Sequence, residues 1–123
     1  MLVATARHAA DLLAPRFDGH EAEKLVVLYL NAGQELIALE EYPGGADEAP
    51  LPLRAIFASA LRHDSAGLVI AHNHPSGDPS PSPADIAATR RLAEIAAALG
   101  IVLHDHLIFA GGECRGFREL GLL

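Results

Sequence analysis

The sequence holds one cysteine, Cys114, so it offers no internal disulfide. Nothing in it argues for an oxidising compartment. Long apolar runs are missing too; none approaches the ~20 residues that a membrane-spanning helix needs. The opening residues, Met1 to His8, lack the basic stretch and apolar stretch of a secretory leader. The cytoplasm is therefore the expected location, and no membrane partner is expected. Positive charge is scarce: 9 Lys and Arg stand against 16 Asp and Glu, a formal net charge of −7. The basic residues are scattered, with Arg90 and Arg91 the only adjacent pair. Binding to nucleic acid usually rests on a Lys/Arg surface that neutralises phosphates, so nucleic acid is not expected as the main partner. Repeats, linkers and low-complexity tracts are also absent.

What is present fits one domain over residues 1–123, half of them hydrophobic. Val3, Ala6, Ala9, Ala10, Leu12 and Leu13 have helical spacing over roughly residues 3–14, and Pro15 follows as a stop. Leu25 to Leu30 reads as a buried strand, Asn31 to Gly33 as a turn, and Glu35 to Glu41 as the hairpin partner. Pro43 to Pro52 reads as a loop and Leu53 to Arg62 as a helix. Leu68 to Ala71 reads as a short central strand, and the Pro-rich stretch His72 to Pro83 as a loop. Ala84 to Leu99 is an Ala-rich helix with Ile86, Ala93, Ala96 and Leu99 on one face and Thr89 beside them, ended by Gly100. Residues Ile101 to Phe109 form one more strand around His104 and His106, which alternation puts on one face. Strands and helices alternate, so the class is α/β or α+β with a mixed β-sheet flanked by helices.

Chemistry concentrates in the histidines. Of seven, four lie in two His-x-His pairs. His72 and His74 follow an apolar strand, and alternate side chains of an extended segment point the same way. Ligands of open α/β sheets bind outside the carboxyl ends of strands. Two imidazoles on one face suit zinc, which takes a third protein ligand and, in a catalytic site, leaves its fourth position to water. A carboxylate from Asp85 would complete the set, and a mixed nitrogen and oxygen shell favours zinc over calcium or magnesium. Each residue alone has a plainer reading. His72 and His74 read as polar residues at a strand end. Ser82, Pro83 and Asp85 make a good helix start, with Ser at the N-cap, Pro at the first position and an acid at the third.

Taken together, His72-x-His74, seven residues, then Ser82-x-x-Asp85 resembles the JAMM motif of MPN (JAB) metalloproteases. The wording His72-Asn73-His74-Pro75-Ser76-Gly77-Asp78-Pro79 is closer still to the bacterial RadC family. Glu23 to Asn31, Leu53 to Leu61, Leu99 to Ile108 and Phe117 to Leu122 resemble other segments of that family, so nearly the whole chain is covered. The resemblance implies an MPN/JAB-like mixed sheet with cytidine-deaminase-like layering. It implies one zinc ion held by His72, His74 and Asp85, and Ser82 as a donor to the oxyanion of the transition state. It implies a general base just before the first long strand, where Glu23 stands with Glu21 as the fallback. The implied activity is hydrolysis of peptide or isopeptide bonds, with a peptide or protein as substrate.

The sequence departs from the family at three places. The helix-hairpin-helix segment of longer RadC proteins has no counterpart among these residues; Leu53 replaces a Pro, and Gly116 replaces a Ser near the C-terminus. The last bears on substrate contacts there. Other residues have modest readings: His106 as a hydrogen-bonded buried histidine or an outer partner of the site, Thr89 as a support for Asp85, Cys114 as inert, Arg54 as a surface residue. Two further functions compete with the hydrolase, a DNA-repair role and a catalytically silent MPN binding module. The contiguous His-Asn-His letters do not make an HNH nuclease, which spreads its residues over a ββα unit. The oligomeric state, a homodimer included, is left open.

Overall fold

A computed structural model describes residues 1–19, 22–43 and 51–123. Three helices and five strands follow in the order α1 (Ala6–Phe17), β1 (Lys24–Leu30), β2 (Leu36–Pro43), α2 (Leu53–Arg62), β3 (Gly67–Asn73), α3 (Pro83–Ala98), β4 (Val102–Ala110) and β5 (Glu113–Gly116). The strands form one mixed sheet in the order β2-β1-β3-β4-β5. Among the described residues no helix is long and apolar enough to cross a membrane. The loop expected over Pro43 to Pro52 lies largely outside the described residues.

The strand residues dictate the layering. β1 is apolar on both sides and buried from Leu25 onward, and every residue of β3 is buried. Such strands must be covered on both faces. Leu25, Val27, Tyr29, Leu68 and Ile70 meet Ile56 and Phe57 of α2 and Leu92 and Ala96 of α3 on one face. Val26, Leu28, Val69, Ala71 and Leu107 meet Ala9, Leu13 and Phe17 of α1 on the other. β3 runs antiparallel to β1 and parallel to β4, with α3 as the crossover. The antiparallel pairing sets Leu25 opposite His72, so the start of β1 lies beside the end of β3.

The structure corrects four local readings. Pro15 lies inside α1, which starts at the Thr5 cap and runs on to Phe17. A proline in the last turn forfeits one late hydrogen bond, and Phe17 then stacks on Phe109 with ring centroids 4.8 Å apart. β3 continues through His72 and Asn73, because both still pair with β4, opposite Ile108 and Phe109. On α3 the buried face is Thr89, Leu92 and Ala96, whereas Leu99 is exposed. Finally, His104 and His106 do not share a face. The register against β3 slips between Leu68 and Val69, giving β4 an extra residue at His104. His104 thereby joins Asp105 and Leu107 along a cavity beside α1, while His106 faces α3. The His104 ring also covers Gly67, where any Cβ would strike it.

Candidate metal centre

The site is built at the end of β3. The His74 N–H donates to the Phe109 carbonyl at 3.0 Å, so the extended backbone continues one step past the strand. Alternation then brings His72 and His74 together, with their Nε2 atoms 2.8 Å apart. The intervening Asn73 bridges a different segment. Its Oδ1 accepts from the Lys24 N–H at 2.8 Å and its Nδ2 donates to the Ala22 carbonyl at 3.0 Å. The backbone on both sides of Glu23 is thus tied to the strand that carries the histidines.

Asp85 reaches the pair from the first turn of α3. Ser82 caps that helix: its hydroxyl accepts from the Asp85 N–H at 3.0 Å, and its own N–H donates to Asp85 Oδ2 at 2.9 Å. This reciprocal cap fixes the carboxylate with Oδ2 3.1 Å from His74 Nε2 and Oδ1 3.6 Å from His72 Nε2. The helix-cap reading and the ligand reading are therefore compatible: one carboxylate both closes the helix end and faces the histidines. One donor atom from each of His72, His74 and Asp85 lies within 4.8 Å of the others. The two Nε2 atoms are 2.8 Å apart, and Asp85 turns Oδ2 to His74 at 3.1 Å and Oδ1 to His72 at 3.6 Å, contacts of the order of the ~3.3 Å edge of a tetrahedron with metal–ligand bonds of ~2.0–2.1 Å. The donor set, two imidazole nitrogens and a carboxylate oxygen, fits a zinc-like ion.

A surrounding layer turns these donors inward. His74 Nδ1 lies 2.8 Å from the Asp78 carbonyl, to which only an N–H can donate, so Nε2 carries the free lone pair. His72 Nδ1 lies 2.6 Å from His106 Nε2, and His106 Nδ1 lies 2.7 Å from the Thr89 hydroxyl. The His106 ring stacks on Phe117 at 4.4 Å. Burial, then repulsion from His72, holds His106 well below the usual histidine range and keeps it neutral. Burial opposes ionisation of Asp85, but the His72 imidazole and the Ser82 hydrogen bonds outweigh it, and its carboxyl is held well below the usual range.

Glu23, half-buried, immediately precedes β1. It lines a cavity of about 580 Å³ together with His74, Ser82 and Asp85. Glu21, the alternative base, lies outside the described residues. Thr89 bonds His106 rather than Asp85, which moves its support to the other side of the centre. Arg54 is exposed. Burial pushes the Cys114 thiol up to about 11, helped by the charges of Glu119 and Asp105. A Cβ on Gly116 would sit 3.0 Å from Asp105 Oδ2, a buried oxygen with no hydrogen-bond partner.

No local signal in the sequence marks Asn73, because its partners Ala22 and Lys24 lie about fifty residues away along the chain. Nor does any motif spacing signal that the His106 ring meets His72.

The profile of the RadC-like JAB domain matches residues 3–122. A UPF0758 protein of Rhodobacter capsulatus is 47% identical over 102 residues, which are 82% of this chain and 48% of that protein. The UPF0758 protein of Shouchella clausii is 38% identical over 121 residues, 98% of this chain and 53% of its own length. The UPF0758 protein YeeS of Escherichia coli is 39% identical over 120 residues, 97% of this chain and 81% of that protein. The chain thus spans about half the length of the first two relatives and most of the third. The fold, the His72–His74–Asp85 cluster and a match over nearly every residue agree that this chain belongs to the RadC-like JAB domain family.

Proposed function

We propose that this chain is a zinc-dependent hydrolase of the JAMM type, which cleaves peptide or isopeptide bonds in a peptide or protein substrate. The observation that carries the reading is the convergence of His72, His74 and Asp85 beside a cavity that Glu23 and Ser82 also line. A zinc ion held by the three would act as a Lewis acid towards the scissile carbonyl and lower the pKa of water towards ~7. Glu23 takes the proton of the attacking water and passes it to the leaving amine. Ser82 donates to the developing oxyanion. Its hydroxyl accepts from the Asp85 N–H, and that leaves its one proton free for this bond. The Asn73 clamp holds the backbone of Glu23 in place. Nothing in the reading needs a basic surface, in keeping with the net charge of −7. With one cysteine and hence no internal disulfide, the cytoplasm is the proposed location.

The test is a cleavage screen over peptide and isopeptide libraries with zinc-loaded protein. His74→Ala should lose the metal. Ser82→Ala should keep it and lose on the order of 10²–10³ in turnover. Glu23→Gln should behave like Ser82→Ala, and wild-type turnover in it would transfer the base to Glu21. Zinc binding without cleavage of any library member would leave the silent binding module as the better account. Salt-dependent DNA binding would favour the DNA-repair role.

A further inference from the structure

We propose that His106 and Thr89 are positioning residues of the metal centre, forming a directed hydrogen-bond chain that holds His72 in the one tautomer able to bind the ion through Nε2. The inference rests on the metal-centre reading and adds two residues to it.

Counting protons along the three side chains assigns each nitrogen its role. His72 Nε2 faces His74 and Asp85, so this nitrogen must offer its lone pair to an ion placed among the three. A neutral imidazole carries one N–H, which therefore sits on Nδ1. At 2.6 Å the partner of that N–H is His106 Nε2, which must accept it. An accepting Nε2 leaves the His106 proton on Nδ1, and the atom 2.7 Å away is Thr89 Oγ1. A hydroxyl oxygen accepts this bond and closes the chain. Each ring nitrogen thus has one assigned role. Carboxylates and carbonyls fill this outer position around most metal-bound histidines. The other histidine of this centre has such a carbonyl, that of Asp78.

The environment holds the chain together. His106 and Thr89 are 2% and 0% exposed, so water does not compete for these bonds. Phe117 stacks on the His106 ring at an interplanar angle of 13° and restrains its plane. Three elements meet here, since His72 is in β3, His106 is in β4 and Thr89 is in α3. Thr89 follows Asp85 by one helical turn, so α3 reaches the centre twice: directly through its carboxylate, and through Thr89 and His106. The opposite direction, with His106 donating to His72 Nδ1, would put the His72 proton on Nε2 and block the ligand atom.

The test compares His106→Phe, which keeps an aromatic ring against Phe117 but removes the acceptor, with Thr89→Val, which keeps the shape but removes the hydroxyl, and with Thr89→Ser, which restores it. Zinc affinity is measured by competition with a chromophoric chelator, and the fold is checked by circular dichroism. Thr89→Val and His106→Phe should bind zinc about 10–100-fold more weakly, and Thr89→Ser should bind like the unaltered protein. Nitrogen-15 shifts of the zinc-loaded protein should show His106 protonated on Nδ1 and bare on Nε2. Should His106→Phe fail to fold, Thr89→Val and the nitrogen shifts still decide. Unchanged zinc affinity in a folded Thr89→Val, or a His106 protonated on Nε2, would overturn the chain while leaving the metal centre standing. Absence of zinc binding by the unaltered protein would overturn the centre itself, and the chain with it.

Discussion

A serine hydroxyl has one proton and two lone pairs, and Ser82 uses this asymmetry. Its oxygen caps α3 while its proton stays free. Asp85 is equally economical, its Oδ2 accepting the Ser82 N–H and facing His74 at once. The types and spacing of these residues made them legible in the sequence, because capping and ligation ask for the same short polar side chains. Their joint roles were not legible, since spacing does not reveal which lone pair points where. Asn73 was hidden for a related reason: its partners come from a segment brought near by sheet pairing. Cys114 gives a pH test at this scale. Its thiol is pushed up to about 11, so at pH 8 about 0.1% is thiolate, far less than for an exposed thiol near 8.5. Alkylation by iodoacetamide should be slow in the folded protein and rise about tenfold per pH unit from 8 to 10, with urea abolishing the protection. Fast labelling of native protein at pH 7 would contradict the burial of this thiol.

Among the elements, the apolar runs fixed which segments become strands, and α2 keeps the predicted bounds Leu53–Arg62. The ends were harder. Sheet pairing carries β3 through two residues whose composition reads as loop, and that extension puts His72 under the control of the ladder. The bulge at His104 reverses the face expected for one histidine of the second pair, and no local signal marks it. The largely exposed segment between His74 and α3 is held at one point by a close backbone approach. Gly111, at φ +57°, lies so close to Gly77 that a Cβ would come within 2.9 Å of the Gly77 carbonyl oxygen. Gly111→Ala should therefore cost at least about 1–2 kcal/mol in urea unfolding, from the left-handed backbone alone. A variant as stable as the parent would show that the segment rearranges freely.

At the scale of the molecule, helices on both faces of the sheet leave its strand ends for chemistry, and the antiparallel β1–β3 pair delivers Glu23 to the end where the histidines stand. The overall class followed from alternating strands and helices. Strand order did not, because it depends on which edges pair across long separations. The account turns on three side chains sharing one ion, and a zinc-edge anomalous difference map of crystals grown with zinc tests this most directly. It should show one strong peak about 2.0–2.2 Å from His72 Nε2, His74 Nε2 and an Asp85 oxygen. A map with no peak there, or with Asp85 turned away from the histidines while zinc is plentiful, would contradict the account.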